Sequence, residues 1–266
     1  MRDPKSILVT GASSGIGEAL AIDYAAPGAF LALTGRDAAR TEAVAAACRA
    51  KGADVLAETV AAEDDAAMPA FVARAHARRP LDLVIANAGI SAGSSGKGES
   101  AAQARRIFDV NVQGVVNTVA PAIELLLAKP RAGAEPRGQI AIVASLAGYR
   151  GFPGAPAYCA SKAAIKVWGE GLRGELWAHG VEVSVVCPGY VRTRMTEGNT
   201  FPMPLIMDAD RATRIIRRGL ARNKARIAFP WRLAFLVNLI ASLPPAWTDP
   251  LFRKLPKKRA SVAVLD

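Results

Sequence analysis

The sequence predicts an α/β fold, a doubly wound parallel sheet of about seven strands flanked by helices, and three observations predict it. Short apolar, β-branched runs recur along the chain, and each suits a strand buried on both faces. Stretches with helical spacing alternate with those runs. At the start, Ser6-Ile7-Leu8-Val9 passes straight into Thr10-Gly11-Ala12-Ser13-Ser14-Gly15-Ile16-Gly17, and Glu18-Ala19-Leu20-Ala21-Ile22 follows at helical spacing.

A helix that begins at a strand's carboxyl end aims unpaired N–H groups and its positive dipole end into the crevice above the sheet, where a pyrophosphate can sit. The glycines here are spaced G-x-x-x-G-x-G, unlike the G-x-G-x-x-G of the common dinucleotide fingerprint. A glycine turn that holds no ligand is the alternative.

With 266 residues, 51% hydrophobic and 21% charged, the chain has globular composition and suits a single α/β domain. Cys48, Cys159 and Cys187 lie far apart without a C-x-x-C pair, which argues against a disulfide framework or zinc site and for a reducing, cytoplasmic location. No basic start with a long apolar stretch precedes the first strand, so no secretory signal is expected. The net charge of +11 is local: residues 211–260 hold thirteen Lys and Arg against Asp249 alone, while the remainder of the chain sums to −1.

The first helix stops at Pro27-Gly28, and Phe30-Leu31-Ala32-Leu33-Thr34 forms a second strand ending in Gly35-Arg36-Asp37. In a Rossmann-like unit an acid near this point binds the ribose 2′-OH, whereas an arginine accommodates a 2′-phosphate. Gly35 with Arg36 beside it therefore favours NADP(H), unless Asp37 turns inward or Arg36 stays in solvent. A third strand near Val55–Val60, a helix from about Asp64 to Ala77 and a fourth strand over Leu81–Ala86 lead to Asn87-Ala88-Gly89, which faces the same crevice. His76 and His179 have no partner at metal-ligand spacing, so no metal site is expected. Residues 91–100 read as a flexible loop, followed by a helix from about Ala104 to Ala128 that carries Asn111. Lys129 to Gly138 is a surface connection, and the fifth strand, Gln139–Ala144, delivers Ser145 at its end.

After Pro153 and Pro156 a helix carries Tyr158 and Lys162, four apart and so on one face. A tyrosine near pKa 10 is a poor proton carrier at neutral pH, and an ammonium close by favours tyrosinate. Alone, such a pair occurs by chance in many helices.

With its companions the pair resembles the short-chain dehydrogenase/reductase family, in its single-domain branch. Thr10–Gly17 is similar to the family's T-G-x-x-x-G-x-G turn, Asn87-Ala88-Gly89 to its N-A-G segment, and Asn111 to its helix asparagine. Ser145, Tyr158 and Lys162 match its Ser and Y-x-x-x-K set, and Pro188-Gly189-Tyr190-Val191-Arg192-Thr193 its P-G-x-x-x-T turn. The resemblance implies an NADP(H)-dependent oxidoreductase interconverting an alcohol and a carbonyl, with Tyr158 as general acid or base. Lys162 would lower the pKa of Tyr158 and bind the nicotinamide ribose, Ser145 would hold the substrate oxygen, and Asn111 would anchor a relay water. Gly11, Ser13, Ser14, Ile16, Arg36, Asn87, Gly89, Pro188, Val191 and Thr193 join Tyr158 and Lys162 as candidate NADP contacts. A homodimer or homotetramer is implied, with the helices of Asn111 and Tyr158 at the interface. Where relatives often place an acid after the third strand, this chain has Val60-Ala61-Ala62, and Glu63-Asp64-Asp65 only later, so no adenine contact is assigned there.

Residues 1–230 thus read as the dinucleotide-binding and catalytic domain, and 231–266 as a basic amphipathic extension. The apolar, proline-bearing stretch Met195–Met207 stands at a substrate-covering position and suits an apolar small-molecule substrate. Leu233–Leu243 is too short to span a bilayer, yet Trp231, Trp247 and the clusters Arg253-Lys254 and Lys257-Lys258-Arg259 flank it. That pattern suggests a helix lying on an anionic membrane surface, at the inner face of a membrane, with packing on the domain or a solvated tail as alternatives. No recognition module or aromatic platform for nucleic acid is present. A rival of another class is a non-catalytic nucleotide-binding regulator or scaffold, which the presence of both Tyr158 and Lys162 disfavours.

Overall fold

The computed structural model describes residues 3–94, 98–131, 133, 135–197, 199 and 201–253. Seven parallel strands form one sheet in the order β3-β2-β1-β4-β5-β6-β7. They are β1 Ser6–Thr10, β2 Phe30–Gly35, β3 Asp54–Thr59, β4 Leu83–Ala86, β5 Gly138–Val143, β6 Val181–Pro188 and β7 Arg226–Phe229. Strand order reverses between β1 and β4, so the crevice above their carboxyl ends is the topological switch point where ligands bind in open α/β sheets.

The β1 pattern shows why the sheet is covered on both sides. Ile7 and Val9 join one apolar cluster with Leu20 of helix α1 (Gly15–Tyr24), Val44 of α2 (Ala38–Ala50) and Ile216 of a later helix. Leu8, between them, points to the other face and joins Phe71 and Val72 of α3 (Ala67–Arg78). A strand with no polar face has to be sandwiched.

The long helix expected from Ala104 starts earlier, as α4 (Ala101–Phe108), passes through one π-helical turn over Asp109–Gln113, and continues as α5 (Gly114–Ala128). Ser100 caps α4 by accepting from the Gln103 N–H at 3.1 Å, which sets the earlier start. The π turn shifts the helix register and turns Asn111 into the interior, where it is fully buried.

Residues 91–100 are expected to be a flexible loop; among the described ones, 92–94 and Glu99 are packed, while Gly98 and Ser100 are exposed. Ala92 and Ser94 are buried, the Ser94 N–H donates to Gly154 O at 2.9 Å, and Glu99 Oε2 accepts from the Ala157 N–H at 2.8 Å. Glu99 thereby caps the first turn of α6 (Pro156–Leu176), the helix that carries Tyr158 and Lys162.

Short α7 (Arg194–Glu197), α8 (Ala209–Ala221), α9 (Trp231–Ala241) and α10 (Pro245–Phe252) complete the described chain. The basic residues from Lys254 onward lie outside the described residues. The three cysteines are buried free thiols.

Candidate active site

The β1–α1 turn and the segment after β4 are bound into one unit. Gly11 has φ +64°, and a β-carbon there would lie 2.8 Å from Ala88 Cα. Asn87 Nδ2 donates to the Thr10 and Gly11 carbonyls at 3.0 and 3.1 Å, while Thr10 Oγ1 accepts from the Asn87 and Ala88 N–H groups. The Asn87 Nδ2 thus holds the turn, while Asn87, expected at the cofactor, lines the crevice. Ser14 occupies the N-cap of α1 in an extended conformation, and its side chain makes no capping hydrogen bond. The N–H groups of the first turn therefore face the crevice without a side-chain acceptor, a donor set that fits a pyrophosphate.

At the end of β2, a β-carbon on Gly35 would approach Thr41 Oγ1 to 2.7 Å and Ser13 Oγ to 2.9 Å, so an acidic side chain has no room there. Arg36 is exposed at the rim of the cavity. Asp37 also lines the cavity; its carboxylate accepts from the Arg40 N–H at 2.9 Å, capping α2, and is neutralised by the Arg40 guanidinium at 2.9 Å. Arg40 also lines the cavity, and its Nε is buried without a hydrogen-bond partner among the described residues. Sequence reading missed Arg40; its spacing three residues after a capping aspartate was the available signal.

Near the end of β3 the cavity holds a second residue that sequence reading left out. Glu63 lines the cavity with Val60, Ala62 and Met68; Arg106 holds its Oε1 at 2.5 Å, and its Oε2 is buried with no partner among the described residues. Asp64, next in the chain, instead accepts from the Ala66 and Ala67 N–H groups before α3. Of these two neighbouring acids, Glu63 lines the crevice and Asp64 does not.

Ser145 emerges from β5, and its Oγ accepts from the Ala147 N–H at 3.1 Å and lies 3.4 Å from Pro188 O. Tyr158 lines the cavity with Ser145. Burial pushes Tyr158 up to about 12, against which Ser145 acts in the opposite sense. Lys162 is 4% exposed, donates to Val143 O at 2.9 Å, and is pushed by burial down to about 8. Lys162, expected to lower the pKa of Tyr158, lines the same cavity one helical turn on, with its ammonium donating to Val143 O.

Asn111 stands behind this pair. Its Oδ1 accepts from the Ile90 N–H at 2.8 Å, and its Nδ2 donates to Ile90 O and Ser161 Oγ, each at 3.0 Å. The Ser161 hydroxyl in turn donates to the Tyr158 carbonyl at 2.8 Å, so the network reaches the backbone of the tyrosine. Asn111 does not line the cavity, whereas every other site residue expected from the sequence does.

That cavity has a volume of about 650 Å³. Thr193 closes it beside the glycine turn, with Cγ2 3.0 Å from the place of a β-carbon on Gly15, and Val191 is held by a bridge to Met207. Its far wall is apolar, made by Phe152, Tyr190, Met195, Phe201, Leu233 and Phe252 among others. Part of this wall comes from the segment expected to be a separate extension. The start of α9 packs on the turn after β6, where a β-carbon on Gly189 would lie 3.1 Å from Leu233 Cδ2. The α10 helix is fastened to the loop before α6 by Arg150–Asp249 at 3.0 Å and by the edge-to-face rings of Phe152 and Phe252, 5.2 Å apart.

A short chain dehydrogenase family model matches residues 5–201. The chain belongs to the short-chain dehydrogenase/reductase family. An uncharacterized oxidoreductase of Myxococcus xanthus is 34% identical over 252 residues, covering 94% of this chain and 97% of that one. A short-chain dehydrogenase/reductase from Burkholderia phymatum, solved with NAD, superposes with a TM-score of 0.79 at 24% identity, over 98% of this chain and 99% of that one. The 3-oxoacyl-[acyl-carrier protein] reductase of Brucella melitensis, also solved with NAD, gives a TM-score of 0.76 at 27% identity, over 88% and 99% of the two chains. This short-chain dehydrogenase/reductase is accordingly an oxidoreductase, and its glycine turn, Ser145, Tyr158 and Lys162 occupy one crevice at the switch point.

Proposed function

We propose that this short-chain dehydrogenase/reductase uses NADP(H) to interconvert an alcohol and a carbonyl group on an apolar small molecule, with Tyr158 as the general acid in reduction and the base in oxidation. The observation that carries the reading is that Tyr158, Ser145 and Lys162 line one cavity that also holds Arg36, Arg40 and an apolar wall.

The bound nicotinamide supplies or accepts the hydride at the substrate carbon. The chain's own residues handle the oxygen. Ser145 Oγ hydrogen-bonds the substrate oxygen beside the Tyr158 hydroxyl, which gives it a proton in reduction and takes one in oxidation. Lys162 places a buried positive charge on the same helix face, and Asn111 and Ser161 fix the backbone around Ile90 and Tyr158. The uncapped first turn of α1 suits the pyrophosphate. Arg36 and Arg40, both at the cavity beside the end of β2, support the 2′-phosphate, and Glu63 lines the same end of the site. The Burkholderia and Brucella proteins hold NAD; the arginines of this chain support the phosphorylated form.

A homodimer or homotetramer is supported by apolar side chains left exposed on the expected helices: Phe108 at the end of α4, and Val167 of α6 with Trp177 just beyond it. The test of the function is NADPH oxidation with a panel of apolar ketones, aldehydes and quinones. Tyr158→Phe should lose on the order of 10²-fold or more in kcat while still binding nucleotide. Absence of turnover with NADPH and NADH alike, or full activity of Tyr158→Phe, overturns the reading.

A further inference from the structure

Helix α9 has two apolar faces. Leu233, Val237 and Ile240 line the cavity, while Trp231, Phe235 and Leu239 are 71%, 67% and 51% exposed. At the helical period these sets fall on separate arcs, and Leu236, which lines the cavity and is 50% exposed, stands where the arcs meet. The exposed apolar surface continues through Leu243 to Trp247 of α10, which is 74% exposed. Several large side chains left together in water mark an interaction surface.

Charge selects the occupant. Over residues 231–253 the acid is Asp249, and Arg150 neutralises it. Arg232, stacked 5.5 Å from the Trp231 ring, and Arg253 are both exposed, and Lys254, Lys257, Lys258 and Arg259 follow directly in the sequence. A second copy of the chain would bring these cations against one another. An anionic lipid surface is complementary to them, and it accepts tryptophans at headgroup depth. At 11 residues α9 spans about 16 Å, too short to cross a bilayer and suited to lie in its surface.

We infer that the outer face of α9, with Trp247, docks on an anionic lipid surface, and that a lipophilic substrate passes from the bilayer past Leu236 into the cavity. The access route rests on the proposed oxidoreductase reading; the docking does not.

The experiment is cosedimentation of the full chain with phosphatidylcholine vesicles, with and without about one-third phosphatidylglycerol. Wild type should sediment with the anionic vesicles alone. The pair Trp231→Ser, Phe235→Ser and the pair Arg232→Glu, Arg253→Glu should each bind on the order of 10-fold more weakly. These side chains do not line the cavity, so NADPH-dependent turnover of a small water-soluble ketone should be unchanged, while turnover of a ketone dissolved in the vesicles should fall on the order of 10-fold with the lost binding. Wild type that stays in the supernatant overturns the docking, as do variants that bind as wild type does. If the serine pair instead reduces the oligomer size in analytical ultracentrifugation without altering vesicle binding, a second copy covers the face and the inference is wrong. Equal turnover of the vesicle-dissolved ketone by wild type and variants overturns the access route alone.

Discussion

Lys162 Nζ and Asn111 Oδ1 both lie 3.1 Å from the point that a β-carbon on Gly89 would occupy. The last residue of Asn87-Ala88-Gly89 is thus the spacer between the helix asparagine and the lysine of the Tyr-Lys pair. A methyl group there has to push on two polar groups that are each already bonded elsewhere, Asn111 to Ile90 and Lys162 to Val143. Gly89→Ala should therefore lower kcat on the order of 10-fold, with the melting temperature little changed, because displacements of a few tenths of an ångström are enough to misalign reacting groups. Steady-state kinetics beside thermal denaturation checks this, and an unchanged kcat would remove Gly89 from the site.

Arg36 and Arg40 divide one task. Arg40 is held by Asp37 at 2.9 Å and lines the cavity, whereas Arg36 is exposed at its rim. A charge-assisted bond to a phosphate is worth about 1.5–3 kcal/mol, so Arg36→Ala and Arg40→Ala should each weaken NADPH binding by on the order of 10- to 100-fold and leave NADH nearly unaffected. Fluorescence titration of both nucleotides reads this directly. Equal losses for NADPH and NADH would mean that the arginines shape the turn rather than read the phosphate.

Lys162 is a buried cation whose folded pKa, about 8, lies below its ordinary 10.5. Between those two values the unfolded chain holds a proton that the folded chain has lost, so stability rises with pH across that window. Below pH 8 the folded state carries the full cost of the buried charge, about 3 kcal/mol for this shift. Lys162→Met removes the charge and also the donor to Val143 O, so it should gain about 2 kcal/mol of stability at pH 7 while losing activity. The advantage should shrink above pH 8 and turn into a small deficit before pH reaches 10.5, where only the lost hydrogen bond remains. Urea denaturation at pH 7 and pH 10 measures it; a variant less stable than wild type at pH 7 would show that the hydrogen bond outweighs the buried charge.

The amino-acid sequence by itself determined the sheet, the glycine turn and the identity of the central residues. Each of these is local: β1 is apolar on both faces because both are covered, the turn needs its glycines within seven residues, and Tyr158 and Lys162 share a face by helical period alone. The family match added the order in which Ser145 and Asn111 join them. Tertiary structure decided the rest, because it depends on where distant segments meet. Asn87 was legible as a residue of the crevice, but its Nδ2 is held by the Thr10 and Gly11 carbonyls, 77 and 76 positions away. Whether Glu63 or Asp64 lines the crevice depends on the path of the chain into α3, and Arg40 enters the site only because Asp37 caps α2. The same holds for α9. Its apolar residues were visible in the sequence, but the split between a cavity wall at Leu233 and an exposed face at Trp231 exists only once the turn after β6 gives the helix a surface to pack against.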